Sequence, residues 1–310
     1  MSQRIRTVIV AGASGTIGAP ILAGLLASKL FKVSVLSRPE SKATFPSGVD
    51  VKRVDPEDNA GLVEALKGQD ALISTVSGKV SSLQIPLLEA AIEAGVKRII
   101  PSEWAFHAMR SANQELDDLV APGRPVVEFL KQKGREAEAQ GKDFHWTGVD
   151  PGIFFDCCLK TGFMGIAVIP ERKATIWDNG DTRFSATNIP TIVTAVVQIL
   201  TTADAETRNR FVTIESFATT QNEIIATLEA VSGKSWDVTR KTTEEQLRTA
   251  NALAATGQWM PSFSIKIMTL IYEPGSGADL SVYSKLDNEL LGLPKENIRD
   301  AVESVLREFK

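Results

Sequence analysis

Three glycines, Gly12, Gly15 and Gly18, stand three residues apart in the stretch TVIVAGASGTIGAP, directly after a run of apolar, mostly β-branched residues. The pattern predicts a strand that stops at Gly12, turns through Ala13 and Ser14, and starts a helix near Thr16 and Ile17. Such a turn aims free backbone N–H groups and the positive end of a helix dipole at one point, where an anion is stabilised. Each glycine then has its own task. Gly12 lets the chain turn, Gly15 lets it approach a pyrophosphate, and Gly18 lets helix and strand pack closely. The spacing is GxxGxxG rather than GxGxxG, and a glycine triplet alone also suits an ordinary turn. The complete context of strand, triplet, apolar helix and second strand points to a dinucleotide site.

The end of the second strand bears on which dinucleotide. A ribose with free hydroxyls favours an Asp or Glu some twenty residues past the glycines, but VLSRPESK places Ser37 and Arg38 there. Arg38 can fork onto a 2′-phosphate and stack on adenine, and Lys42 adds charge, so NADP is the expected cofactor. A solvated arginine at a strand end is the plainer reading of the same residue.

The elements that must position these groups follow a regular beat. RTVIVAG, KVSVLSR, VDVKRVD, DALISTVSG, VKRIIPSE and DFHWTGVDPG read as strands, and helical patterns separate most of them. In the first helix Ile17, Ile21, Leu22, Leu25 and Leu26 share one face. Near-continuous apolar strands alternating with helices predict an α/β fold, a doubly wound parallel sheet covered on both faces. The beat loosens after about residue 152. We therefore expect a Rossmann domain over residues 1–152 and a smaller, partly interleaved C-terminal lobe over 153–310, closing over the carboxyl edge of the sheet. MRSANQELDDLVAPG and YEPGSGADL, polar or glycine-rich, are expected to be mobile loops.

Composition narrows the function. The 310 residues are 43% hydrophobic, enough for a substantial core, and the net charge is -4 with 34 Lys and Arg scattered along the chain. That is not the electrostatic footprint of direct nucleic-acid binding. The apolar run at the N-terminus is too short for a signal segment, and no stretch approaches the ~18 apolar residues of a membrane span. A cytoplasmic protein without a membrane partner is expected, as a monomer or homodimer. The two cysteines, Cys157 and Cys158, are adjacent, and no HExxH, CxxC or carboxylate cluster supports a metal.

GASGTIG, LSRPES, LISTVSG, VKRIIPSEW and FLKQKGR occur here in the order and at the spacing that mark the NmrA-like, isoflavone-reductase-like atypical short-chain dehydrogenases. The chain resembles that family over residues 5 to about 155, and more loosely beyond. The family includes plant phenylcoumaran, pinoresinol and isoflavone reductases. The resemblance implies that Ser74, Thr75, Val76 and Ser77 pass beside the cofactor at the end of the fourth strand. It also implies that PSEW at 101–104 shapes the nicotinamide end; Trp104 there suits lobe packing equally well. Related reductases carry a lysine in a KxKxR run after the fifth strand, which Lys131, Lys133 and Arg135 fit. A partly desolvated lysine beside a nicotinamide would suit general acid or base work, whereas the same run also reads as the solvated face of a charged helix. Phe154, Phe155, Phe163 and Met164 lie where the family builds its substrate pocket and would suit a flat aromatic or polyketide-like ligand.

No tyrosine precedes a lysine by four residues, so the YxxxK pair of ordinary short-chain dehydrogenases is absent. His107, just beyond PSEWAF, is a second candidate for proton transfer, whereas His145 reads as a packed strand residue. The expected activity is an NADPH-dependent reductase of a small, largely apolar, phenolic metabolite. Two other classes stay open: a cofactor-sensing regulator of the NmrA type, and a non-redox isomerase, cyclase or dehydratase.

Overall fold

The computed structural model describes residues 4–76, 84–104, 109–168, 170–201 and 205–309. Two candidate residues, Ser77 and His107, lie outside the described residues. The chain opens with β1 (Thr7–Ala11), α1 (Gly18–Ser28), β2 (Lys32–Ser37), β3 (Asp50–Arg53), α2 (Asn59–Leu66), β4 (Ala71–Ser74), α3 (Ile85–Glu93) and β5 (Arg98–Ile100). Two consecutive helices, α4 (Gln114–Val120) and α5 (Arg124–Ala139), lead to β6 (His145–Asp150). Then come β7 (Ile153–Phe154), α6 (Phe155–Thr161), β8 (Ile166–Ala167), β9 (Lys173–Trp177), β10 (Phe184–Thr187), α7 (Ile189–Ile199) and β11 (Arg210–Thr213). The remainder is β12 (Phe217–Thr219), α8 (Gln221–Ser232), β13 (Asp237–Lys241), α9 (Thr243–Ala255), α10 (Trp259–Tyr272), α11 (Leu280–Tyr283) and α12 (Ile298–Arg307).

A seven-stranded sheet runs in the order β11-β6-β5-β4-β1-β2-β3, and every pairing in it is parallel. The fold is therefore the doubly wound, Rossmann-like one. The alternation of β1 explains its unbroken apolar sequence. Val8 and Val10 pack with Ile21 and Leu25 of α1 and Ile192 and Ile199 of α7, whereas Ile9 and Ala11 pack with Leu66 of α2, Leu88 of α3 and Leu130 of α5. A strand buried on both faces has no polar face to show. The strand order reverses between β1 and β4, and the crevice beyond their carboxyl ends is where such folds bind ligands.

Residues beyond 152 return to this sheet, since α7 covers α1 and β11 pairs with β6. The rest forms the lobe, with sheets β12-β10-β7 and β13-β9-β8 around a core of Phe155, Met164, Trp177, Phe184, Leu228, Leu270 and Val302.

One expectation needs correction. The stretch 109–123 contains a helix, α4: Asn113 caps it by accepting from the Glu115 N–H, Glu115 and Asp117 occupy its first turn, and Leu116 is fully buried in the lobe core. Asn113 is an N-cap residue inside a polar stretch that otherwise reads as a loop. Helix α10 had no counterpart in the sequence reading. Its sequence, WMPSFSIKIMTLIY, is apolar on most sides, and Gln258 makes no side-chain cap, so neither a stripe nor a start signal marks it.

Candidate active site

The glycine triplet divides by geometry. Gly12 has φ +79°, and an added Cβ would lie 2.5 Å from the Thr75 carbonyl oxygen, because the exit of β4 closes directly over the turn. Thr75 locks this contact: its N–H and its hydroxyl both donate to the Ala11 carbonyl, at 2.9 and 2.7 Å. A Cβ on Gly18 would collide with the Gly12 carbonyl. Gly12 and Gly18 thus owe their glycines to the packing of strand, turn and helix. Gly15 does not. Its φ is ordinary, and a Cβ there would meet only the Gly12 carbonyl oxygen at 3.3 Å and Thr75 O at 3.9 Å. Ser14, Gly15 and Thr16 are exposed, and α1 behind them has no side-chain cap and no acidic residue in its first turn.

Parallel pairing sets Ala11 opposite Leu36, so Arg38 emerges on the strand next to the glycine loop. Arg38 and Lys42 are both exposed. They stand on the loop after β2, outside the large cavity described next.

That cavity, about 1370 Å³, opens between the carboxyl edge of the sheet and the lobe. Its sheet side is Gly15, Thr16 and Ile17, then Thr75 and Val76, then Ser102, Glu103 and Trp104 after β5. Arg124, Val127, Glu128 and Lys131 of α5 form a second wall. Their spacing of three and four places them on one side of the helix, while Val126, Leu130, Gly134 and Ala137 are buried on another. Leu130, packed against the sheet-covering core, therefore fixes the direction of Lys131. Gly134 lets α5 come close to the sheet, since a Cβ there would stand 3.0 Å from Asn209 Oδ1, which accepts from the Trp146 N–H. Lys131 Nζ donates to Glu128 Oε1 at 2.9 Å, and the lysine side chain is 45% exposed. The desolvation expected of this lysine is thus not supplied by the protein walls. Arg124 is held by Asp117 at 2.7 Å, an interaction that keeps the Asp117 carboxyl below the usual carboxylate range. Phe154, Phe263 and Ile267 complete the apolar wall.

Four expected contacts are not on that wall. Phe155 is fully buried edge-on against Phe217, Met164 is fully buried, and Phe163 packs against the same lobe core. Composition could not separate pocket from core here: Phe155 and Met164 are core, and Phe163 is half-buried against it. Ser74 is fully buried beneath the β4 exit, where its carbonyl accepts from Trp104 Nε1 at 3.0 Å, so its side chain does not face the cavity. Trp104 itself is both packed and part of the wall. Within the expected PSEW stretch the structure singles out Glu103, a buried carboxylate that accepts from Gln84 Nε2 at 3.2 Å, whereas sequence reasoning missed Phe263 and Ile267 on α10. It also missed Arg124 and Glu128, whose spacing from Lys131 was the available signal. Burial pushes both cysteine thiols of α6 up, as suits small packed side chains. Among the described residues no group of three or more His, Cys, Asp or Glu could hold a metal ion, and no helix is long and apolar enough to cross a membrane.

The family model described as NAD(P)H-binding matches residues 12–166. The chain is 34% identical over 305 residues to the oxidoreductase aprR of Aspergillus flavus, covering 97% of this chain and 98% of that protein. It is 31% identical over 302 residues to the oxidoreductase poxI of Penicillium oxalicum, covering 96% and 93%. The solved structure of AtPrR2 with NADP+ and (+)pinoresinol shares the fold with TM-score 0.77 at 20% identity, over 98% of this chain and 100% of that one. This chain belongs to the NAD(P)H-binding family, with fungal oxidoreductases among its relatives, and it is also similar, at 28% identity over 249 residues, to an isoflavone reductase homolog of Zea mays.

Proposed function

We propose that this oxidoreductase is an NADPH-dependent reductase of a small, largely apolar, aromatic or phenolic metabolite, with Lys131 as its general acid or base. The observation that carries the reading is the convergence of the glycine loop, the β4 exit and Lys131 on one cavity with an aromatic wall. The residues fit the cofactor. Gly15, where an added Cβ would meet only the Gly12 carbonyl oxygen closely, leaves the cradle before α1 open, the uncapped helix end favours an anion, and exposed cations stand beyond β2. Gly15, Thr16 and Ile17 would hold the pyrophosphate through backbone N–H groups, with Ser14 beside them, and Arg38 and Lys42 would hold a 2′-phosphate.

When bound, the cofactor supplies a hydride to an electron-poor carbon of the substrate. Lys131 Nζ–H, held at the wall by Glu128, gives the proton to the neighbouring substrate oxygen or takes it away. Trp104, Phe154 and Phe263 orient a flat ring, and a ligand filling the cavity excludes the water that now reaches the lysine.

Cofactor preference tests the first half of the reading. A charge-assisted contact to a phosphate contributes on the order of 1.5–3 kcal/mol, so Arg38→Ala should weaken NADPH roughly ten- to a hundredfold and leave NADH nearly unchanged. Calorimetric titration of both cofactors reads this out, and equal loss for the two would remove the 2′-phosphate assignment.

A further inference from the structure

We infer that Arg53, fifteen residues beyond Arg38 in the chain, is a third specificity residue for the 2′-phosphate; the inference rests on the NADPH reading above. Strand pairing makes the juxtaposition. Because β3 runs parallel to β2 with Ser37 opposite Arg53, the last residue of β3 lies beside the last residue of β2, immediately before Arg38. Arg53 Nη1 donates to the carbonyl oxygens of Arg38, at 3.2 Å, and Ser41, at 2.9 Å. The Arg38 carbonyl also accepts from the Ser41 N–H at 3.2 Å, so the turn that separates Arg38 from Lys42 is closed on itself and pinned to β3.

Two consequences follow from that geometry. Holding both carbonyls fixes the direction in which the turn presents Arg38, which reduces the ordering cost of a phosphate contact. Arg53 also brings charge. Glu40 lies in the same turn and offsets one of the two loop cations, leaving an excess of one; Arg53 raises it to two. The guanidinium is anchored through one nitrogen only. Among the described residues its Nε and Nη2 donate to no protein acceptor, and the side chain is exposed, so those N–H groups are free to meet an anion. An acceptor pair on backbone carbonyls does not neutralise the charge as a carboxylate would.

The test uses two probes that differ only in the group at issue, adenosine 2′,5′-bisphosphate and adenosine 5′-monophosphate, titrated calorimetrically into the full chain. Wild type should bind the bisphosphate more tightly. Arg53→Ala should weaken the bisphosphate by about tenfold and the monophosphate by less than about twofold, with the melting temperature unchanged because the residue is exposed. Arg53→Lys keeps the charge and one nitrogen for the carbonyls but lacks the free Nε and Nη2 donors, and should recover only part of the loss. Equal weakening of both probes in Arg53→Ala would mean that Arg53 merely supports the loop, and no weakening would mean that it does nothing for the phosphate; either overturns the inference while the wild-type preference, and with it the NADPH reading, stands. A wild type that binds the two probes equally overturns the NADPH reading and this inference with it.

Discussion

A Gly15→Val variant should lose NADPH binding by about 10² to 10⁴ and remain folded, with a stability loss of no more than about 1–3 kcal/mol. The size follows from two backbone-to-pyrophosphate contacts, each charge-assisted and each on the order of 1.5–3 kcal/mol, that a branched side chain would obstruct. The tolerance is relative: a Cβ at this glycine is tight against one backbone oxygen, Gly12 O at 3.3 Å, which must give by a few tenths of an ångström, and φ lies outside the left-handed region. Gly18→Val is the contrasting substitution. Its Cβ would collide with the Gly12 carbonyl, so that variant should unfold at markedly lower temperature or fail to accumulate. Thermal melts with a nicotinamide-fluorescence titration separate the two cases. Retained NADPH binding in folded Gly15→Val would show the triplet to be only a turn.

The parts of the fold that could be read from sequence are those in which one physical cause dominates. β1 is apolar throughout because both of its faces are covered, and that run followed by three spaced glycines has few structural solutions. The charged run on α5 had two readings, a solvated face and a functional one, and its position is compatible with either: Lys131 is 45% exposed and paired to Glu128, and it also stands in the cavity wall. What could not be read depends on distance in the chain. Phe155 and Met164 have the composition of a pocket and the position of a core, because only the packing of α6 against the lobe decides which side they face. Arg53 reaches Arg38 through strand register, and Phe263 and Ile267 reach the cavity through a helix without periodic stripe or cap. Neither relation leaves a local pattern in the residues.

Substitution of Lys131 should separate chemistry from binding. Lys131→Met keeps the length and apolar stem of the side chain and removes the proton-bearing group, so turnover should fall by ~10² to 10⁴ while NADPH affinity changes little. Helix α5 should survive, since the side chain is partly exposed and its surface ion pair with Glu128 contributes at most about 1 kcal/mol. The measurement needs a wild type that oxidises NADPH with at least one phenolic or enone acceptor. Protein that binds NADPH and turns over none of a broad panel would instead behave as a cofactor sensor, and the cavity would then serve recognition without hydride transfer. If turnover is present and Lys131→Met leaves it untouched, the proton comes from another group, with His107 or an ordered water next in line. In that case the α5 stripe of Arg124, Glu128 and Lys131 shapes and charges the cavity wall without touching the reaction.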